Sequence, residues 1–123
     1  MKYDPIFRYR GWDRKFFKKS KGYIGCVNDH HIIPQKFKKH PVIKDTEFDI
    51  HGNFNLIIMP TEKGLSKLNL HPDTITHKPH PIYNFYVSNM LDYIKNLSRN
   101  EDEKEYKLWL LVTWLRENGK YFM

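Results

Sequence analysis

A single cysteine, Cys26, occurs in the 123 residues, which excludes an internal disulfide and leaves no paired thiols for a zinc knuckle or a redox dithiol. Any bound metal is therefore expected on His, Asn, Asp or Glu. Long apolar runs are also missing. The longest, Leu108 to Leu115 and interrupted by Thr113, falls far short of the roughly 20 residues that span a bilayer. The opening residues, MKYDPIFRYRGW, hold no apolar segment ahead of a small-residue cleavage site and do not read as a secretory signal, so a soluble chain with no membrane partner is expected. Internal repeats and low-complexity tracts are absent, and glycine and proline are scattered rather than gathered into a linker. With 40% hydrophobic and 15% aromatic residues, the chain can fill one core, and a single domain over 1–123 is expected.

What is present in excess is positive charge, and it is unevenly placed. Of a net +7, residues 1–21 carry +6 through Lys2, Arg8, Arg10, Arg14, Lys15, Lys18, Lys19 and Lys21 against Asp4 and Asp13. Tyr3, Phe7, Tyr9, Trp12, Phe16 and Phe17 interleave with these cations. Such an arm suits a phosphate backbone, where cations release condensed counterions and aromatic rings stack on bases. Its plainer reading is an amphipathic segment whose aromatic residues belong to the core. Lys36, Lys38 and Lys39 form a second basic stripe, read either as a solvated face or as a phosphate contact.

Periodicity is clearest towards the C-terminus. Tyr83, Val87, Met90, Leu91, Ile94 and Leu97 recur at helical spacing behind Pro81, which favours the first helical position, and predict a helix over 81–97. Ser98 and Glu101 have capping-box spacing ahead of Tyr106, Leu108, Trp109, Leu110, Leu111, Val112, Trp114 and Leu115, predicting a second helix, buried on most sides, that stops at Asn118-Gly119. Tyr83, Tyr86 and Trp109 are expected in the core. Two β-prone runs come earlier, Tyr23 to Ile33 before Pro34 and Phe54 to Met59 before Pro60. Gln35 to His40 is expected as a helical turn, and Asp49 to Asn55 as a turn. The order is a basic aromatic arm (1–21), a ββα unit (22–97) and an added helix (98–123), an α+β arrangement.

Seven histidines in 123 residues is a high count. His30 and His31 are adjacent at the end of the first strand, where neighbouring side chains point to opposite faces, so one can face a metal and the other the substrate. His80 and Asn84 are four apart at a helix start and share a patch of surface. With His30 from the strand, these donors could hold one divalent ion and leave positions open for phosphate and water. Asn55 and Asn84 also have a plainer reading as local caps. His40, His51 and His71 have no motif partner and are read as surface or loop residues.

Three blocks, Asp29-His30-His31-Ile32-Ile33-Pro34, Asn55-Leu56-Ile57-Ile58-Met59-Pro60 and His77-Lys78-Pro79-His80-Pro81-Ile82-Tyr83-Asn84, together resemble the AHH branch of the HNH (endonuclease VII-like, His-Me finger) superfamily. The resemblance spans about residues 26–97 and implies a ββα-metal core. It further implies that His30 is the first metal ligand, His31 the general base, Asn55 the residue that orients loop and base, and His80 and Asn84 helix-side ligands. His77 matches the family's other pre-helix histidine, for metal or phosphate. Asp29, itself a potential ligand, stands where the family pattern has alanine, and His77 lies three residues before His80 where the pattern has four.

The implied function is metal-dependent hydrolysis of phosphodiesters in DNA, or in RNA, with one divalent ion. Mg²⁺ is the first expectation, while two imidazoles suit Zn²⁺, Mn²⁺ or Ni²⁺ better. Arg8, Arg10, Arg14, Lys15, Lys18, Lys19, Lys36, Lys38 and Lys39 are the expected nucleic-acid contacts. Members of this branch often form the toxic tip of a larger secreted protein guarded by an immunity protein. A free-standing, cytoplasmic nuclease of a virus or mobile element fits equally. Two further alternatives are a nucleic-acid-binding module with a structural metal site and no catalysis, and a protein-interaction domain with no nucleic-acid role.

Overall fold

Pro34 and Pro60 close the two β-prone runs, and between them the chain doubles back to pair these runs as an antiparallel sheet of two strands, β1 (Val27–His31) and β2 (Leu56–Pro60). The computed structural model describes residues 14–76 and 78–123. Register runs from Val27 opposite Pro60 to His31 opposite Leu56, which sets His30 against Ile57. Both strands are shorter than the runs that predict them. Before β1 the chain turns at Gly25, whose φ of 80° lies in the left-handed region, and Cys26 N donates to Tyr23 O at 2.8 Å.

Among the described residues five α-helices accompany the hairpin: α1 (Arg14–Lys21), α2 (Pro41–Asp45), α3 (Glu62–Lys67), α4 (Pro81–Leu97) and α5 (Glu101–Asn118). All five positions of β2 are buried, because the strand is covered on both faces. Tyr83, Val87, Leu91 and Ile94 of α4, with Leu108, Leu111, Val112 and Leu115 of α5, form the helical side of that core. The architecture is mixed α+β, and among the described residues no helix is long and apolar enough to cross a membrane.

Several expectations are corrected. Residues 14–21 of the basic aromatic arm form a helix in which Phe17 is buried but Phe16 is exposed, while residues 1–13, with Arg8 and Arg10, lie outside the described residues. Helix α5 presents only one face to the core, and Trp109 stays 53% exposed with Leu110 and Trp114 also outward. Tyr86 is half-buried, stacking on Phe122 at 4.4 Å. Asn100, not Ser98, caps α5, accepting from Glu103 N at 2.9 Å, whereas Ser98 Oγ donates back to Ile94 O. The turn after Pro34 is 3₁₀ only over Gln35–Phe37, and α2 follows it. His40 is not a plain loop residue. Its Nδ1 accepts from Val42 N at 3.1 Å to cap α2, which puts the ring hydrogen on Nε2, donated to Asp92 of α4 at 2.8 Å. His71 is exposed, as expected.

The loop before β2 is held by one side chain. Asn55 is fully buried; its Oδ1 accepts from Ile33 N at 2.8 Å, and its Nδ2 donates to Ile33 O at 3.1 Å and Ile50 O at 2.8 Å. From α5, Arg116 donates to the carbonyls of Phe54 and Leu56 on either side. Helix α3, absent from the sequence-based expectation, starts at Thr61, whose Oγ1 accepts from Gly64 N at 2.9 Å and donates to Cys26 O at 3.2 Å. A Cβ at Gly64 would sit 1.9 Å from that same Cys26 oxygen, so glycine is what lets α3 lie against the backbone just before β1.

Two outcomes follow. Gly64→Ala should lower stability in urea denaturation by about 1–3 kcal/mol despite alanine's better helix propensity, since backbone must move; an unchanged or raised midpoint would contradict the close approach. Asn55→Ala should cost about 2–4 kcal/mol by leaving three buried backbone groups without their partner. A loss under about 1 kcal/mol would contradict the clamp.

Candidate active site

Alternation along β1 sends its last two side chains apart. His30 is 7% exposed, while His31 is half-exposed. On the other side of the cleft, prolines at 79 and 81 keep Lys78 and His80 out of helical conformation, so the chain enters α4 stiffly. His80 stands at the N-cap position with φ −130° and ψ 80°, but its ring makes no cap to the helix. Instead it is buried edge-on to His30, with ring centroids 6.1 Å apart and planes at 84°.

Tyr83, one turn into α4, fixes this meeting from below. Its ring lies 5.4 Å from His30, its hydroxyl donates to Ile32 O, and a Cβ on Gly119 would come within 2.8 Å of the ring. Strand end and helix start are thereby locked together. Asn84 N donates to His80 O at 3.0 Å, and its side chain lies on the same first turn. An open cleft of about 440 Å³ results, lined by His30, His31, Pro34, Gln35, Lys78, Pro79, His80 and Asn84. The three blocks singled out in the sequence thus converge: His30, His31, His80 and Asn84 line the cleft itself, and Asn55 supports it from within the core. His77 lies outside the described residues.

The donor chemistry fits a cation. Two imidazoles at 6.1 Å between centroids are within reach of one shared ion through nitrogen–metal bonds of about 2.0–2.1 Å, and Asn84 adds an amide oxygen on the same wall. Among the described residues no three His, Cys, Asp or Glu side chains cluster in this way, so the described donor set is two imidazoles and one amide. Asp29 is engaged elsewhere. Its carboxylate pairs with Lys18 Nζ at 3.1 Å and Arg14 Nη1 at 3.3 Å, tying α1 to the strand.

His31 sits in a different setting. Its Nε2 lies 3.1 Å from Nδ1 of His51, with ring planes at 87°, and Gln35 Nε2 approaches its Nδ1 at 3.5 Å. His51 is an exposed turn residue, as expected, and has His31 as a tertiary partner. Gln35, Lys78 and His51 are the site residues that sequence reasoning missed. For Gln35 and Lys78 the available signal is adjacency to Pro34 and Pro79 in the recognised blocks; for His51, twenty positions from His31, there is none.

The cations divide into two groups. Arg14 and Lys18 are committed to Asp29, whereas Lys15, Lys19, Lys36, Lys38 and Lys39 are exposed. Lys36, Lys38 and Lys39 follow directly on Gln35 at the cleft edge, and Lys78 lines the cleft and is exposed.

Neither a curated protein nor a solved structure gives a match to this chain. A family model described as a nuclease family of the HNH/ENDO VII superfamily with conserved AHH matches residues 14–109. That match takes in the hairpin, the cleft and the first half of α5, and the chain belongs to the AHH nuclease family of the HNH/ENDO VII superfamily.

Proposed function

We propose that this nuclease is a metal-dependent endonuclease that hydrolyses phosphodiester bonds of DNA, with His31 as general base and a His-Me finger formed by β1, β2 and α4. The observation that carries this reading is the meeting of His30 and His31, at the end of β1, with His80 and Asn84, at the start of α4, in one open cleft. A structural metal plug has no use for His31 at the cleft wall; a hydrolase does.

His31 takes a proton from water as the water oxygen attacks phosphorus. The neutral imidazole is the form that accepts this proton. His30, His80 and Asn84 would hold a divalent cation, with His77 a further candidate ligand or phosphate contact. When bound, such an ion supplies Lewis-acid polarisation of the phosphate and countercharge for the leaving oxygen. Mg²⁺ is the first candidate, and the two imidazoles favour Zn²⁺, Mn²⁺ or Ni²⁺. Lys78 brings positive charge to the cleft, and the lysines at 15, 19, 36, 38 and 39, with Arg8 and Arg10, would draw the strand in through counterion release. A toxin effector held in check by an immunity protein is the biological setting proposed alongside a free-standing nuclease.

Supercoiled plasmid incubated with the protein and Mg²⁺, Mn²⁺, Ni²⁺ or Zn²⁺ should be nicked and then linearised. His31→Ala should lower the rate by about a hundred- to ten-thousandfold while keeping metal uptake. His80→Ala should lose metal uptake and cleavage together. Nicking that persists unchanged in His31→Ala would sink the mechanism, and DNA binding without cleavage under every ion would point to a binding module instead.

A further inference from the structure

Within the nuclease reading, and resting on it, the structure assigns His51 a task that no motif announces: we propose that it is the positioning residue for His31, fixing which ring nitrogen of the base faces the cleft. The hydrogen placement follows from the neighbours. A side-chain amide nitrogen can only donate, so Gln35 Nε2, 3.5 Å from His31 Nδ1, leaves that nitrogen as the one with the lone pair. The ring hydrogen of neutral His31 is then on Nε2, and it is donated to His51 Nδ1 at 3.1 Å. Gln35 lines the cleft and His51 does not, so the lone pair is on the cleft side and the N–H is turned away from it.

His51 is built to stay where this requires. Its backbone N donates to Asp49 Oδ1 at 3.2 Å, Gly52 N donates to Asp49 O at 3.0 Å, and the carbonyl just before it, Ile50 O, is held by Asn55. The same buried amide grips Ile33, two residues beyond His31. One side chain thus sets both halves of the histidine pair. The Gln35 contact, at the long limit of a hydrogen bond, is readily replaced by a water.

The chemistry gains in a specific way. Water transfers a proton to Nδ1 of His31 as its oxygen forms the new bond to phosphorus, and the electron pair of the broken P–O bond goes to the leaving oxygen. His31 becomes an imidazolium whose Nε2–H already points at a lone pair on His51, so the hydrogen bond strengthens as charge develops. The arrangement does for this base what an acceptor behind the histidine does in a hydrolytic triad.

Long-range ¹⁵N–¹H spectra of the 123-residue chain should show His31 with hydrogen on Nε2 and none on Nδ1, and His51→Ala should shift it towards a mixture of both tautomers. Because these patterns are read without substrate, they decide the hydrogen placement whether or not plasmid is cleaved. In turnover, His51→Ala should lower kcat by roughly ten- to a hundredfold, the worth of one hydrogen bond to a charged group, with KM unchanged. His51→Asn, which keeps an acceptor near the position of Nδ1, should restore most of it. A wild-type His31 protonated on Nδ1, or a His31 spectrum unmoved by His51→Ala, would overturn the proposal, as would equal kcat losses in the Ala and Asn variants.

Discussion

A buried primary amide must have its donors and acceptor satisfied, and Asn55 does this by bridging two stretches of backbone that are otherwise connected only through sixteen intervening residues of turn and helix. One stretch, at Ile33, leaves β1 just after the histidine pair; the other, at Ile50, leads into the turn that carries His51. The bridge is insensitive to solvent because it is fully enclosed. Everything on the His31 side of the cleft inherits its position from this contact, and the His80 side inherits its own from Tyr83, which ties α4 to Ile32 one residue away. Two short-range anchors, one residue apart on the same strand end, therefore place groups drawn from three distant segments.

Helix α4 was fully legible, from Pro81 to Leu97, because proline at the first position and a single apolar stripe point to the same boundaries. Helix α5 was legible in extent but not in its cap. Ser98 with Glu101 and Asn100 with Glu103 offer capping spacing in two registers, and only the packing of Leu108, Leu111, Val112 and Leu115 into the core decides between them. The same stripe explains Trp109: a helix with one neighbouring layer buries one face, and the residue following Leu108 points outward however apolar it is. Helix α3 was hidden by Gly64, which reads as a helix breaker and is present for a different reason, the Cys26 carbonyl that passes through the space of its missing side chain.

For the site, the sequence carried those residues whose neighbours are prolines or strand ends: His30, His31, His80 and Asn84 stand next to features with a local signature. Asp29 was ambiguous because nothing in the strand sequence says that Arg14 and Lys18 on an earlier helix will pair with it. His51 and His40 were read as incidental for a similar reason. Their partners, His31 and Asp92, are 20 and 52 positions away, and a contact of that range becomes visible only when the loop closes. Among the described histidines, His30, His31, His40, His51 and His80 thus have side-chain partners distant in sequence, three of them in the cleft wall and two outside it.

The proposed activity requires the cleft between β1 and α4 to hold a single cation between His30 and His80. Anomalous diffraction from crystals of the protein grown with Mn²⁺, Ni²⁺ or Zn²⁺ tests it most directly. One strong peak within about 2.0–2.2 Å of a ring nitrogen of each of these histidines is the expected result. Peaks confined to other histidines, or none at the cleft in any of the three ions, would contradict it.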